Sequence, residues 1–164
     1  MKEKYTFKDF VPLIVTLVGV IVVTLVLFLG WGETEPLRGM RLFMGTFFVV
    51  FGAFKVVRLK AFVQAYQEYD ILAQRSTTYA YLYPFIELAL GVLYLLGIGL
   101  VVVNSVTFII MAVGAVGVFR KLRKKEHIPC VCLGAVFQIP MTWVTLAEDI
   151  VMAVMALVMI VFLL

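Results

Sequence analysis

Apolar positions in this chain run in five helix-length stretches separated by short polar clusters, and the longest, VPLIVTLVGVIVVTLVLFLGW from Val11 to Trp31, carries no charge. A bilayer core of about 30 Å needs roughly 20 such residues in a helix. The pattern predicts five transmembrane helices, over 11–31, 39–57, 79–100, 104–119 and 142–164. Lys2, Lys4 and Lys8 precede the first span as they would in a secretory leader. Its core is long, however, and no small-x-small cleavage site follows in FLGWGETEP, so it reads as a retained helix. The second span is uncharged only from Leu42 to Phe54 and must hold Lys55 at its boundary, where the lysine stem can snorkel outward. A turn near Gly97, Gly99 and Asn104 joins spans three and four, and Gly114 and Gly117 permit close helix contact. Between spans two and three, Leu59, Phe62, Val63, Tyr66 and Ala73 recur at helical spacing while Lys60, Gln67, Glu68 and Gln74 take the other faces. That arrangement predicts an amphipathic helix lying on the membrane surface.

Composition narrows the class. Of 164 residues, 64% are apolar, and the mean hydropathy of +1.11 excludes a soluble enzyme, a disordered tail and a nucleic-acid-binding module. The expectation is an all-α membrane protein, a single integral domain of 1–164 whose first partner is the lipid bilayer. Net charge is a modest +4, and its distribution matters more than its size. With five spans the termini face opposite sides. A cytoplasmic N-terminus puts Lys2, Lys4, Lys8, Lys55, Arg58, Lys60, Arg75, Arg120, Lys121, Arg123, Lys124 and Lys125 on that side, leaving Arg38 and Arg41 on the other. This asymmetry predicts N-terminus in and C-terminus out.

Candidate chemistry is sparse. His127, Cys130 and Cys132 form an H-x2-C-x-C run just after the basic stretch 120–125. Neighbouring cations favour thiolate, the form that attacks disulfides or binds soft metals. The apolar segment 128–141, bounded by Pro129 and Pro140, has the length of an interfacial or re-entrant piece that packs onto the bundle. A bond between cysteines one residue apart closes a tight, readily reduced ring, which suits a transient redox role. The same two residues also fit ordinary small apolar positions in a buried loop. As a metal set, His127, Cys130 and Cys132 are one ligand short for zinc but suit Cu(I) or mercury. Met152, Met155 and Met159 form a stripe that could pass such an ion on, though core packing is the commoner role of methionine.

Glu87, Glu148 and Asp149 fall inside spans, where an ionisable group is costly unless paired. Glu87 and Asp149 lie about seven to nine residues into spans three and five, or roughly 10 to 13 Å down at helical rise. Lys55 reaches the same level, so an ion pair of Lys55 with Glu87 or Asp149 is expected, whether as packing glue or as a proton-handling centre. Pro84, three residues before Glu87, is expected to kink its helix. Glu148 and Asp149 are adjacent and point about 100° apart, so at most one easily faces a given partner.

The run GAFKVVRLKAFVQAYQEYDIL, then YPFIELALGVLYLLG, then a basic loop followed by PCVCLG and an acid-bearing last helix, resembles the MauE branch of the MauE/DoxX group of small redox-associated membrane proteins. The carrying residues are Gly52 and Lys55; Pro84, Glu87, Leu88 and Gly91; and Cys130, Cys132 and Gly134, over about Arg41 to the C-terminus. The helix Val11 to Trp31 stands as an addition, and Leu133 takes the place of a usual aromatic. The resemblance implies a four-helix bundle like that of the vitamin K epoxide reductase and DoxX proteins, in a bacterial inner (cytoplasmic) membrane. It also implies thiol-disulfide or quinone-linked electron traffic supporting maturation of an exported partner in methylamine utilisation, with Cys130 and Cys132 as the reactive pair and a thioredoxin-like or exported redox protein as partner. Soft-metal transport through His127 and the cysteines, and a non-catalytic assembly role, are the competing readings.

Overall fold

The computed structural model describes residues 7–30, 35–124, 129–136, 139–140 and 143–164. Among these are six helices: α1 (Phe7–Gly30), α2 (Pro36–Val57), α3 (Leu59–Tyr66), α4 (Thr77–Leu96), α5 (Leu100–Arg123) and α6 (Trp143–Leu163). All but α3 are long and apolar enough to cross a membrane. The protein is therefore an all-α, multi-pass membrane protein, with its backbone polar groups satisfied inside each helix as hydrocarbon requires.

Two tight antiparallel pairs make the core. In the first, α2 and α4 approach through glycine: a Cβ at Gly91 would meet Val49 N at 2.9 Å and Gly45 O at 3.0 Å, and one at Gly52 would meet Leu88 and the Pro84 carbonyl. Small residues at such crossings let backbones touch, which is how helices gain packing where lipid offers no hydrophobic drive. In the second, α5 lies along α6. Helix α1 rests on the outside of α2. Among its described side chains Leu13, Val20 and Thr24 are buried, with Phe10 and Leu17 half-buried against the core, and much of the rest is apolar and exposed as a lipid-facing helix should be.

Several boundaries move relative to the expectation. Span two begins at Pro36, so Arg38 and Arg41 lie within its first two turns. The reversal between α4 and α5 needs only Gly97 to Gly99, both glycines being left-handed (φ +74° and +60°), with Ile98 N–H donating to Leu93 O. Asn104 is thus not a turn residue. It is buried one turn inside α5, where its Nδ2 donates to Leu100 O (2.7 Å) and its Oδ1 accepts from the Tyr94 hydroxyl (2.8 Å), which also lies 3.1 Å from Thr107 Oγ1. This small network satisfies every member within the membrane span. Helix α4 runs through Pro84 without interruption.

The amphipathic helix is shorter than expected and faces elsewhere. It stops at Tyr66, and Phe62, Val63 and Tyr66 turn inward onto the bundle, closing one end of it. Ala73 is buried beyond the helix, in a run of turns organised by Asp70: its Oδ1 accepts the amide N–H of Leu72 (3.0 Å) and Ala73 (2.8 Å). The turn enters the bundle because α5 has Gly117 there; a Cβ would lie 2.6 Å from Tyr69 O.

At the same end, Pro129 and Cys130 (β1) pair antiparallel with Ile139 and Pro140 (β2). The pairing sets Pro129 opposite Pro140, and Cys130, Val131 and Leu133 are buried. Gly134 sets the depth of this segment: at φ +60° its backbone rests on α2, where a Cβ would lie 2.5 Å from Phe54 O and 2.9 Å from Lys55 Cα.

Burial pushes the Asp70 carboxyl above its ordinary value, and the N–H groups it accepts oppose this only in part. A raised native pKa means the fold binds the proton more tightly than the unfolded chain, so stability falls as pH rises from the ordinary carboxylate range through the raised value. Asp70→Asn keeps the Oδ1 acceptor and removes the buried charge; it should leave thermal stability at pH 7 equal to or above the parent. Asp70→Ala should lose about 1–2 kcal/mol. Melting both variants in detergent at pH 5 and pH 7 checks the order.

Candidate functional site

Lys55 stands in the last turn of α2, and across the tight α2–α4 contact stands Glu87. Its Nζ lies 2.6 Å from each carboxylate oxygen of Glu87, with the two residues 7% and 2% exposed. Of the two partners expected for Lys55, the structure selects Glu87. The ammonium also sits 5.0 Å from the Tyr83 ring centre and 5.8 Å from that of Phe62, so both a carboxylate and π faces compensate for its lost hydration. Phe62, Tyr66 and Tyr83 stack into a wall beside it, with centroids 4.6 to 6.2 Å apart.

The wall bounds a cleft of about 40 Å³ between the two helix pairs. Lys55, Glu87, Cys132, Glu148 and Asp149 all line it, with Tyr69, Thr145 and Met152. Glu148 and Asp149 both reach it, each toward a different neighbour. Their divergence aims them at two walls of the same space: Glu148 toward Cys132, Asp149 toward Gly114, where the missing side chain leaves 3.4 Å between a notional Cβ and Asp149 Oδ2. Both Glu148 oxygens are buried with no hydrogen-bond partner among the described residues. Such an atom is costly unless chemistry uses it. One ammonium therefore faces three carboxyl groups, an inventory able to hold protons.

The cysteines are both free thiols. Cys130 is buried on β1; Cys132, half-buried, reaches the cleft, and its N–H donates to Cys130 Sγ at 3.3 Å. A side-chain hydrogen bond between the two sulfurs pushes the Cys132 thiol well above the ordinary range, and burial, Cys130 and the nearby Glu148 and Asp149 add to this. The sequence suggests the reverse, a thiolate favoured by the basic run. In the fold, Arg120, Arg123 and Lys124 are exposed, away from the sulfur, while the acids of α6 face it.

His127 lies outside the described residues. Among those described, no three His, Cys, Asp or Glu side chains converge as a metal-binding group, and Met152 and Met159 are core residues. The cleft has room for a few waters and is far below the size of ordinary cofactor pockets, so a quinone ring does not fit it as folded. Sequence reasoning missed the aromatic wall, although the i, i+4 pairs Phe62/Tyr66 and Tyr79/Tyr83 are a usable sign of one. It also missed Asp70.

The fold and the cleft define a small polytopic membrane protein with a buried lysine–carboxylate pair facing a two-cysteine loop. A family model described as methylamine utilisation protein MauE matches residues 11–162, and the chain belongs to the MauE family. The match takes in α1, so that helix is part of the family's extent and not an addition to it. No curated protein and no solved structure matches the chain.

Breaking a buried ion pair leaves an uncompensated charge, worth about 3–5 kcal/mol. Lys55→Met should therefore lower stability by that order, and Lys55→Met/Glu87→Leu should recover most of the loss. Thermal unfolding of the three variants in detergent decides the matter; additive losses in the double variant would show that the pair is not coupled.

Proposed function

We propose that this protein is an integral membrane thiol-disulfide redox protein supporting methylamine utilisation, with Cys130 and Cys132 as the exchanging pair. The observation that carries the reading is that Cys132 shares one cleft with Glu148, Asp149 and the Lys55–Glu87 pair. A high-pKa thiol reacts slowly on its own, because the thiolate is the nucleophile. An adjacent carboxylate that accepts the proton as the sulfur attacks removes that obstacle. Glu148 faces Cys132, and its buried oxygens have no hydrogen-bond partner among the described residues, which supports this reading.

The step balances with a partner disulfide as oxidant. Cys132 sulfur attacks one sulfur of the partner, its proton passing to Glu148, and the partner's other sulfur leaves as a thiolate. Cys130 then attacks the mixed disulfide, forming the Cys130–Cys132 bond and releasing the second partner thiol. The partner thiolate released first takes the proton back from Glu148, the Cys130 proton passes to the second partner sulfur as it leaves, and two electrons have moved to the partner. A thioredoxin-like or exported protein supplies the chemistry, and the reverse direction reduces such a partner. Asp149 and the Lys55–Glu87 pair keep the cleft polar and hold its shape.

Among the described residues, the cysteine end carries Lys55, Arg58, Lys60, Arg75, Arg120, Lys121, Arg123 and Lys124, and the other end Arg38 and Arg41. This asymmetry supports a cytoplasmic cysteine end in a bacterial inner membrane, with the N-terminus inside and the C-terminus outside.

Redox titration of the purified protein in glutathione buffers, followed by alkylation and mass measurement, should show a two-electron, reversible Cys130–Cys132 couple. Cys130→Ser and Cys132→Ser should each abolish it and the dependent maturation of the partner. If the doubly substituted protein still supports maturation, the cysteines are incidental and the protein acts as an assembly factor.

A further inference from the structure

Far from the cysteine loop, at the opposite end of the bundle, Arg38 and Arg41 occupy the first two turns of α2. They stand three residues apart, one face of the helix carrying two guanidinium charges that repel each other. A cavity of about 170 Å³, some four times the volume of the cysteine-end cleft, opens beside them between α1, α2 and α4. Its other walls are Leu27, Leu42 and Leu95. The Arg41 guanidinium lies across Gly97 at the α4–α5 turn, in the space a side chain at that position would take. Its Nε is buried and has no hydrogen-bond partner among the described residues.

We infer that this cavity binds the phosphate of an anionic phospholipid, with Arg41 as its principal ligand. A guanidinium whose Nε–H has no partner among the described residues suits a phosphate oxygen pair, and Arg does this better than Lys because its donors form a planar fork. The anion also relieves the repulsion between Arg41 and Arg38. The leucine walls fit what is attached to the phosphate, the glycerol and the start of an acyl chain. Position agrees: α2 has 22 residues, or about 33 Å at helical rise. A residue five places from its start lies about 7.5 Å along it, roughly 6 Å inside a core about 30 Å thick, a depth from which an arginine side chain snorkels to the headgroup layer. Basic pockets between spanning helices hold lipid headgroups for these reasons. Gly97 acquires a second purpose here, since the glycine that allows the turn also admits the arginine.

The test uses the full chain, purified in neutral detergent and incubated with phosphatidylglycerol or phosphatidylcholine, with retained lipid counted by native mass spectrometry. The intact protein should retain phosphatidylglycerol at least tenfold over phosphatidylcholine. Arg41→Gln should lose that preference by about tenfold. Leu27→Trp, which keeps both arginines and fills the cavity, should lose it as well and guards against misfolding of the first variant. Inorganic phosphate in tenfold molar excess should displace none of the bound lipid, because it lacks the apolar part. Equal retention of the two lipids, retention unchanged in Arg41→Gln and Leu27→Trp, or displacement by inorganic phosphate would each overturn the assignment.

Discussion

An ammonium and a carboxylate 2.6 Å apart, nearly sealed from solvent between α2 and α4, set the terms for the rest of this protein. Neither charge is tolerable alone in such surroundings, so the two helices must hold register to keep them together. The glycines along that contact allow the register: Gly45 and Gly52 on one helix and Gly91 on the other bring the backbones close enough for Lys55 to meet Glu87 one turn beyond Pro84. Gly134 then places the cysteine loop on the same stretch of α2, against the backbone of Phe54 and Lys55. Two distant segments, 52–55 and 130–134, thus converge through close backbone approach, and the cleft with its acids follows from that convergence.

The five spans were legible because bilayer thickness imposes a length on apolar runs that no soluble fold imposes, and the short helix between spans two and three was legible from its apolar periodicity. The depths of Lys55, Glu87 and Asp149 were legible by counting helical rise. What periodicity cannot report is who faces whom. Hydropathy gives no hint that Asn104 lies in α5 and not in a turn, because one polar residue among apolar ones looks the same in both settings; the Tyr94 hydroxyl ten residues earlier decides it. The inward turn of Phe62, Val63 and Tyr66 was equally hidden, since an apolar stripe suits a membrane surface and a bundle end alike. The electrostatics of Cys132 were misjudged for a related reason: sequence places a basic run nearby, whereas the fold sends those cations to the surface and brings the α6 acids in.

The two ends of the bundle divide their labour by chemistry. One gathers thiols, acids and an aromatic wall around a cleft with room only for water. The other presents arginines over leucine walls and has room for something larger. Between them lie apolar side chains and one satisfied network, Tyr94 with Asn104 and Thr107.

The alkylation rate of Cys132 as a function of pH, measured with Cys130 replaced by serine in the parent and in Glu148→Gln, tests most directly whether the sulfur and the α6 acids share one environment. Because the Glu148 carboxylate disfavours thiolate, its neutralisation should move the alkylation midpoint to lower pH, while Glu68→Gln, on the exposed surface, should not. Superimposable profiles for parent and Glu148→Gln would place the sulfur and the acid in separate surroundings and contradict the account.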